Sequence, residues 1–492
     1  MEDPERMEHL LRRYLNSRGI SPPDNSPWCL KSSDLNGRGL FAARDIIQGE
    51  EIAVDAPLIL GPRCYKKYPP MCVNCYKTGI TLFPCDRGCG LPICSDACEN
   101  SKDHVERECD QLKKWRPTCG SMFSKDLLLS VLPVRSLALG DDDKELVMAM
   151  KGHEGELHGR EIELLKRNVG EEINRKDEEF MLKVCRVMDT NAMETGTPAD
   201  ESRTISLRGL YPLGAMQNHS CTPNTRHYFR SNDLMSICAT VDIKKDEELT
   251  MTYLNPLWDT YIRRRYLMMS KHFDCRCRRC SDPSEFGSKV GALWCASMDC
   301  HGLILPDDPL SWTTPWTCEE CHQEVSSRQM KTIISGIDSI INKYLHDPPR
   351  DILKFVEKQL KIVVPETNSS MLQMKYRIVS YFGRTQGLYF EDLTDEELQI
   401  KSKYCQDLLD VINELQLGDC QMKGFILYEL YCTKNEQLSR KNYEISSPQS
   451  KDFTRETLKI LDKAVEILQD DVASPDDLKS LKPPHTSART HP

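Results

Sequence analysis

Residues 218–224 read NHSCTPN. Pro223 and the flanking asparagines favour a turn, yet a turn by itself requires neither His219 nor Cys221. Together they suggest a metal corner, a catalytic cluster or an ordinary turn, and the rest of the chain decides. Further on, CRCRRC supplies Cys275, Cys277 and Cys280. Three thiols leave a tetrahedral Zn²⁺ one ligand short. Cys221 is the natural fourth, with His272 or a different cysteine as the alternative. Zinc closed by Cys221 would pin the turn to a segment far along the chain.

The 492 residues contain 23 cysteines. Cys29, Cys64, Cys119, Cys185, Cys238, Cys405, Cys420 and Cys432 are scattered and read as core thiols. The others cluster. Cys72, Cys75, Cys85, Cys89, Cys94, Cys98, His104 and Cys109 are dense enough for two interleaved tetrahedral sites, Cys72/Cys75/Cys94/Cys98 and Cys85/Cys89/His104/Cys109. A segment with so few apolar residues needs metal to fold. Cys295, Cys300, Cys318 and Cys321 form two knuckles around a short loop, the pattern of a zinc ribbon, with His301 and His322 as alternative ligands.

Apolar content of 39% and charged content of 28% suit a globular chain of about two to four domains. Apolar runs fall far short of the ~20 residues that span a bilayer, so no membrane association is expected. The start, MEDPERMEHLLRRYL, lacks a signal-peptide core. Clustered thiols without such a signal suit a reducing compartment, and nucleus and cytoplasm are the expected locations. A net charge of −10 argues against general nucleic-acid binding.

NGRGLFAARDI (36–46), NHSCTPN, DEELTMTYLNPLW (246–258) and FDCRCRRC (273–280) resemble SET and post-SET motifs, and the span from Cys72 to Cys109 resembles a MYND zinc module. In this order, with the zinc module inside a split SET domain, the chain resembles the SET-and-MYND (SMYD) protein lysine methyltransferases, most of all their arthropod branch. One departure is the spacing of four between His104 and Cys109, where many MYND modules have three. The resemblance implies S-adenosylmethionine as cofactor and three zinc ions (two in the MYND module, one post-SET), and the spacing of the ribbon cysteines adds a fourth. The resemblance also implies a protein lysine as substrate, histone or non-histone.

By the same resemblance Gly37, Arg38 and Gly39 form a turn whose backbone holds the cofactor, with Arg38 facing its carboxylate. Asn218 and His219 hold its amino and adenine groups, Asn191 matches another family asparagine near the same cofactor, and the Phe273 ring stacks on adenine. Tyr253 is the catalytic tyrosine, and Tyr211 is a second candidate for the lysine channel. Each has a plainer reading: a hairpin turn at 37–39, a loop Asn191, a core Phe273 and a half-buried strand tyrosine at 253. The reaction is direct displacement by a neutral amine, which requires no covalent intermediate. No Ser-His-Asp or Cys-His constellation stands out.

The expected fold class is α+β and multidomain. It has a polar lead (1–25), the first SET part (26–66), the MYND module (67–113), a helical insertion (114–195) and the SET core (196–272). The post-SET zinc segment (273–283), the ribbon (284–330), an all-helical domain (331–480) and a flexible tail (481–492) follow. EIAVDAPLIL and EELTMTYL read as strands, and Arg263–Arg265 as a solvated helix face, with a partner patch as the alternative. Ile333, Ile337, Ile341 and Tyr344 share one helical face; Leu458, Leu461, Val465 and Leu468 share another. Thr394 and Glu397 form a capping box. A monomer is expected. The competing function is a catalytically inactive zinc adaptor whose MYND module binds proline-containing peptides of corepressors.

Overall fold

The chain around Arg38 folds back on itself: β1 (Trp28–Ser32) pairs antiparallel with β2 (Arg38–Ala42). The computed structural model describes residues 3–21, 25–35, 37–63, 68–119, 121–154, 159–200, 203–297, 299–440, 448–468 and 470–480. The expected tail, 481–492, and Cys64 lie outside the described residues.

EIAVDAPLIL is two strands, not one. Pro57 has no amide for a ladder, and the chain divides there into β3 (Glu51–Asp55) and β4 (Ile59–Gly61). β5 (Phe83–Pro84) pairs with β6 (Pro92–Ile93) within the cysteine-rich module. β4 joins β7 (Met193–Asp200) and β8 (Arg203–Leu210) in the order β4-β8-β7, whereas β3 joins β9 (Thr225–Phe229) and β10 (Met235–Ala239) in the order β3-β10-β9. Residues 51–61 thus complete sheets whose other strands come from 193–239, while β1 and β2 form a two-stranded sheet of their own. The meander β11 (Leu293–Trp294), β12 (Leu303–Pro306), β13 (Trp316–Cys318) and β14 (Glu324–Val325) carries the third cysteine cluster.

The expected polar lead is an amphipathic helix, α1 (Pro4–Ser17). Asp3 caps it by accepting from Glu5 N–H, and Pro4 suits its first turn. Met7, Leu10, Leu11, Tyr14 and Leu15 follow helical spacing and are buried in the same core as Trp28, Leu40 and Ile237. Charges on the opposite face give the segment its polar look.

EELTMTYL is not a regular strand. Leu249 N–H donates to Leu40 O at 2.7 Å, Met251 N–H to Asn218 O at 3.0 Å, and Ser220 N–H to Met251 O at 3.0 Å. One extended segment is thereby held by the β2 edge on one stretch and by the NHSC turn on the next, so no single ladder forms.

Helices occupy most of 102–191, ending in α2 (Arg175–Asn191). After α3 (Thr260–Lys271) and the meander come α4 (Ser327–Tyr344), α5 (Ser369–Tyr381), α6 (Asp395–Glu414), α7 (Gln421–Arg440) and α8 (Pro448–Leu468). Thr394 and Glu397 form the expected reciprocal cap of α6. Only Ile337 of the α4 set is fully buried, and Ile333 faces solvent. In α8 the buried face is Ala464, Ile467 and Leu468, while Leu458 is exposed. Spacing located each stripe, and packing rotated it. The helical part docks on the sheets through Asp419 N–H to Thr240 O (3.0 Å) and Val472 N–H to Phe229 O (2.7 Å). Among the described residues no helix is long and apolar enough to cross a membrane.

Candidate active site and zinc centres

All sixteen cysteine and histidine ligands expected from sequence come together, in the four groups expected, with donor atoms in each group within 4.8 Å of one another. Sulfur separations are 3.6 Å for Cys75–Cys94, 3.9 Å for Cys85–Cys109, 3.5 Å for Cys221–Cys280 and 3.7 Å for Cys300–Cys318. A disulfide would require about 2.05 Å. Zn–S bonds of about 2.3 Å in a tetrahedron set sulfurs roughly 3.8 Å apart. The donor sets therefore fit Zn²⁺, and Cys221 is the fourth thiol of the post-SET group. His272, the alternative, caps α3 instead, with φ of 60°.

The longer His104–Cys109 spacing has a local cause. Val105–Cys109 is a π-helical turn, and its i→i+5 closure brings Cys109 round beneath His104. His104 Nδ1 lies 2.8 Å from Glu108 Oε1, leaving Nε2 beside Cys85 and Cys89. A carboxylate holding the far nitrogen fixes the tautomer a metal needs. Glu108 in turn accepts from Arg135 Nε at 2.9 Å, and the same buried guanidinium donates to Val73 O and Leu60 O. It thereby joins the zinc module to β4.

Arg263 and Arg264, expected on a solvated face, are each 1% exposed. Arg263 donates to Cys221 Sγ (3.2 Å) and Cys280 Sγ (3.5 Å), and pairs with Glu285 at 2.6 Å. Arg279, fully buried, shares Glu285 at 2.8 Å. Four thiolates exceed the charge of one Zn²⁺ by two, and buried guanidinium donors offset that excess. Arg264 instead pairs with Asp274 through both carboxylate oxygens. Only Arg265 is exposed.

The NHSC turn is wired to both neighbours. Asn218 Nδ2 donates to Arg38 O (3.1 Å), Ser33 Oγ (3.1 Å) and Glu248 Oε1 (2.7 Å). His219 Nδ1 accepts from Tyr253 N–H at 3.1 Å, so the proton is on Nε2, which lies 3.2 Å from Cys221 Sγ. One imidazole thus links a metal ligand to the backbone of Tyr253, and its nitrogens do not project toward a cofactor. The Tyr253 hydroxyl donates to Gln217 O at 2.7 Å. Burial first, and Glu248 second, push the phenol pKa up, so it stays protonated at neutral pH. The Phe273 ring lies 6.0 Å from His219.

Gly37 has φ of 64° and nothing near its missing side chain, which is the turn requirement. At Gly39 a Cβ would lie 2.2 Å from Glu248 Oε1, so this glycine admits the Glu248–Asn218 pair. Arg38 Nη2 donates to Ala149 O (2.6 Å), and Asn191, the last residue of α2, donates to Lys151 O (2.7 Å). The strap 149–151 thus connects these two expected cofactor residues.

Tyr211 is not at the site. It is fully buried, donates to Asp233 O at 2.7 Å and packs against Phe229 in the sheet core. Residues missed from sequence are Glu248, Ser33, Gln217, Arg263 and the 149–151 strap. Glu248 stands inside DEELTMTY and reads there as an exposed strand position; the others carry no motif.

A SET-domain family model matches residues 37–254. A Drosophila melanogaster protein described as SET domain-containing protein SmydA-8, isoform A, is 30% identical over 436 residues, covering 87% of this chain and 92% of that protein. An Arabidopsis thaliana protein, histone-lysine N-methyltransferase ASHR1, is 25% identical over 446 residues, covering 85% and 87%. The split sheets, the NHSC turn gathered with three post-SET thiols and near full-length likeness to SmydA-8 agree: the chain belongs to the SET-domain proteins of SMYD type.

Proposed function

We propose that the chain is an S-adenosylmethionine-dependent protein-lysine N-methyltransferase acting on histone or non-histone protein. The carrying observation is that Arg38, Asn218, His219 and Tyr253, from three distant segments, are joined by direct hydrogen bonds. The name of the Arabidopsis relative supports the same chemistry.

Asn218 spends its amide nitrogen on the protein, so its carbonyl oxygen is the atom offered to a cofactor ammonium. The Phe273 ring offers a flat face for adenine, and Asn191 flanks the same region. When bound, the cofactor supplies a methyl group on a cationic sulfur. The chain's own part is to orient the amine and favour its neutral form. A lysine amine is ~99.9% protonated at neutral pH, and only its neutral form has a lone pair. Tyr253, held by Gln217 through its proton, points oxygen lone pairs at an incoming N–H. Because the phenol stays neutral, it adds no negative charge that would favour the ammonium. Alignment of this kind is worth perhaps ~7–11 kcal/mol. A cleft of about 700 Å³ between α3 and α4/α5, lined by Asn255, Leu257, Trp258, Ile341 and Tyr376, begins two residues along the chain from Tyr253 and has room for a peptide.

The test is incubation with labelled cofactor and a protein array, using Tyr253→Phe as the blank. Wild type should label protein lysines, and Tyr253→Phe should lose most of that activity while folding normally. Normal turnover by the variant would refute the role of the hydroxyl. Calorimetric titration showing no cofactor heat would instead favour the inactive adaptor.

A further inference from the structure

Lys271 ends α3, and left-handed His272 reverses the chain after it. Phe273 is carried back beside His219, and the Lys271 side chain enters the space between Tyr253 and the end of α2. Its Nζ lies 5.6 Å from the centre of the Tyr253 ring and donates to Thr190 O at 2.7 Å. Thr190 adjoins Asn191. Two contacts from different elements thus fix an amine beside both the proposed catalytic tyrosine and the proposed cofactor region. Among the described residues no carboxylate forms an ion pair with Lys271.

The surroundings disfavour the ammonium form. Burial lowers the Lys271 pKa most, and the Arg208 guanidinium lowers it further, against a smaller opposing effect of Asp189. A neutral amine that gives one N–H to Thr190 keeps its lone pair free. Half-burial against one carbonyl and one aromatic ring, with Asp189 acting only at a distance, leaves the ammonium's desolvation offset by no direct ion pair.

We propose that Lys271 is a self-methylation site, the chain's own acceptor amine when no protein substrate is seated. This rests on the methyltransferase reading and identifies one substrate of that site. The Lys271 nitrogen lone pair forms a bond to the methyl carbon of S-adenosylmethionine. The carbon–sulfur bond breaks with its electron pair going to sulfur, giving S-adenosylhomocysteine. The methylated ammonium then releases a proton to water. Successive methyl groups replace the N–H donors that hold Thr190 O, so the modified side chain is released from α2.

The full chain is incubated with methyl-deuterated S-adenosylmethionine, cleaved by a protease specific for acidic residues and read by mass spectrometry. Expected is a deuterated methyl on Lys271, formed at a rate constant unchanged by dilution of the protein. Lys271→Arg should lose that mark, and so should Tyr253→Phe. An unmodified Lys271 in a preparation that methylates core histones or its other lysines would overturn the proposal and leave the methyltransferase reading intact. A rate that rises in proportion to protein concentration would also overturn it, because the acceptor would then belong to another molecule. Absence of any methylation together with absence of cofactor heat would remove the underlying reading and the proposal with it.

Discussion

His219 holds Tyr253 by the backbone and Cys221 by its sulfur, so the zinc ligand and the proposed catalytic residue share one imidazole. His219→Ala should leave the post-SET metal in place, since all four thiols remain, yet release Tyr253. Displacement of about 1 Å costs about 10²-fold in rate, and that loss with unchanged zinc content is the expected result of paired activity and elemental assays. Asp55 makes a different prediction. It is fully buried, accepts from Leu213 and Gly214 N–H at 2.8 and 2.9 Å, and burial lifts its pKa from 3.8 to about 7. The folded state therefore keeps a proton that the unfolded state releases. This contribution is fully present below about pH 4 and is lost as pH rises through about 7. Wild-type stability should fall relative to Asp55→Asn between pH 5 and 7, with a slope approaching about 1.4 kcal/mol per pH unit. Urea titrations at several pH values would check it. At this scale the sequence showed residue types better than residue duties. Every clustered cysteine could be picked out from spacing, whereas Tyr253 was singled out only by the resemblance to the SMYD family. The bond from His219 to Tyr253 could not, because it depends on a crossing of two segments that share no local pattern. Tyr211 failed for the converse reason: it stands near the motif in sequence, but just after β8 it is buried against Phe229 and donates to Asp233 O.

Between elements, buried charges do the joining. Arg135 connects the zinc module to β4 and neutralises Glu108 behind the His104 ligand. Arg135→Met should destabilise the protein by about 3–5 kcal/mol, because Glu108 is left buried without its partner. The double variant Arg135→Met/Glu108→Gln should recover part of that loss, and denaturation midpoints of the two would show it. The hairpin β1–β2, the helix cap at Thr394 and the clustered knuckles were legible from short-range pattern. The α1 helix was hidden by its charged outer face, even though its apolar residues recur at helical intervals. The break at Pro57 was written in the sequence as a missing amide. The irregular path of 246–253 was not, since alternation is the same whether one partner strand or two different segments receive the bonds. Arg263 and Arg264 read as solvated because a run of three arginines rarely has thiolates and carboxylates waiting for it.

Across the whole molecule the four thiol-rich groups differ in cover. The 295–321 group includes exposed Cys321, whereas Cys85, Cys89, His104 and Cys109 are all buried. A chelator should strip the 295–321 zinc first, with methyl transfer retained, and activity should fall when the Cys221 group is emptied. Zinc release followed by a chromogenic chelator alongside a methyl-transfer assay would test that order; activity lost with the first ion would contradict it. The four ligand groups were legible because their spacing is local. The docking of the helical part on β9 and β10 was not, because it uses backbone groups at Thr240 and Phe229 that carry no sequence signature.

The pairing of β3 with β10 and of β4 with β8 also governs how the protein is born. Glu51–Asp55 leaves the ribosome long before Met235–Ala239 exists. At about 5–20 residues per second, translation of the intervening chain takes about 10–40 s. For that interval the first strands have open edges, and a nascent-chain chaperone binding site is expected there until synthesis passes residue 239.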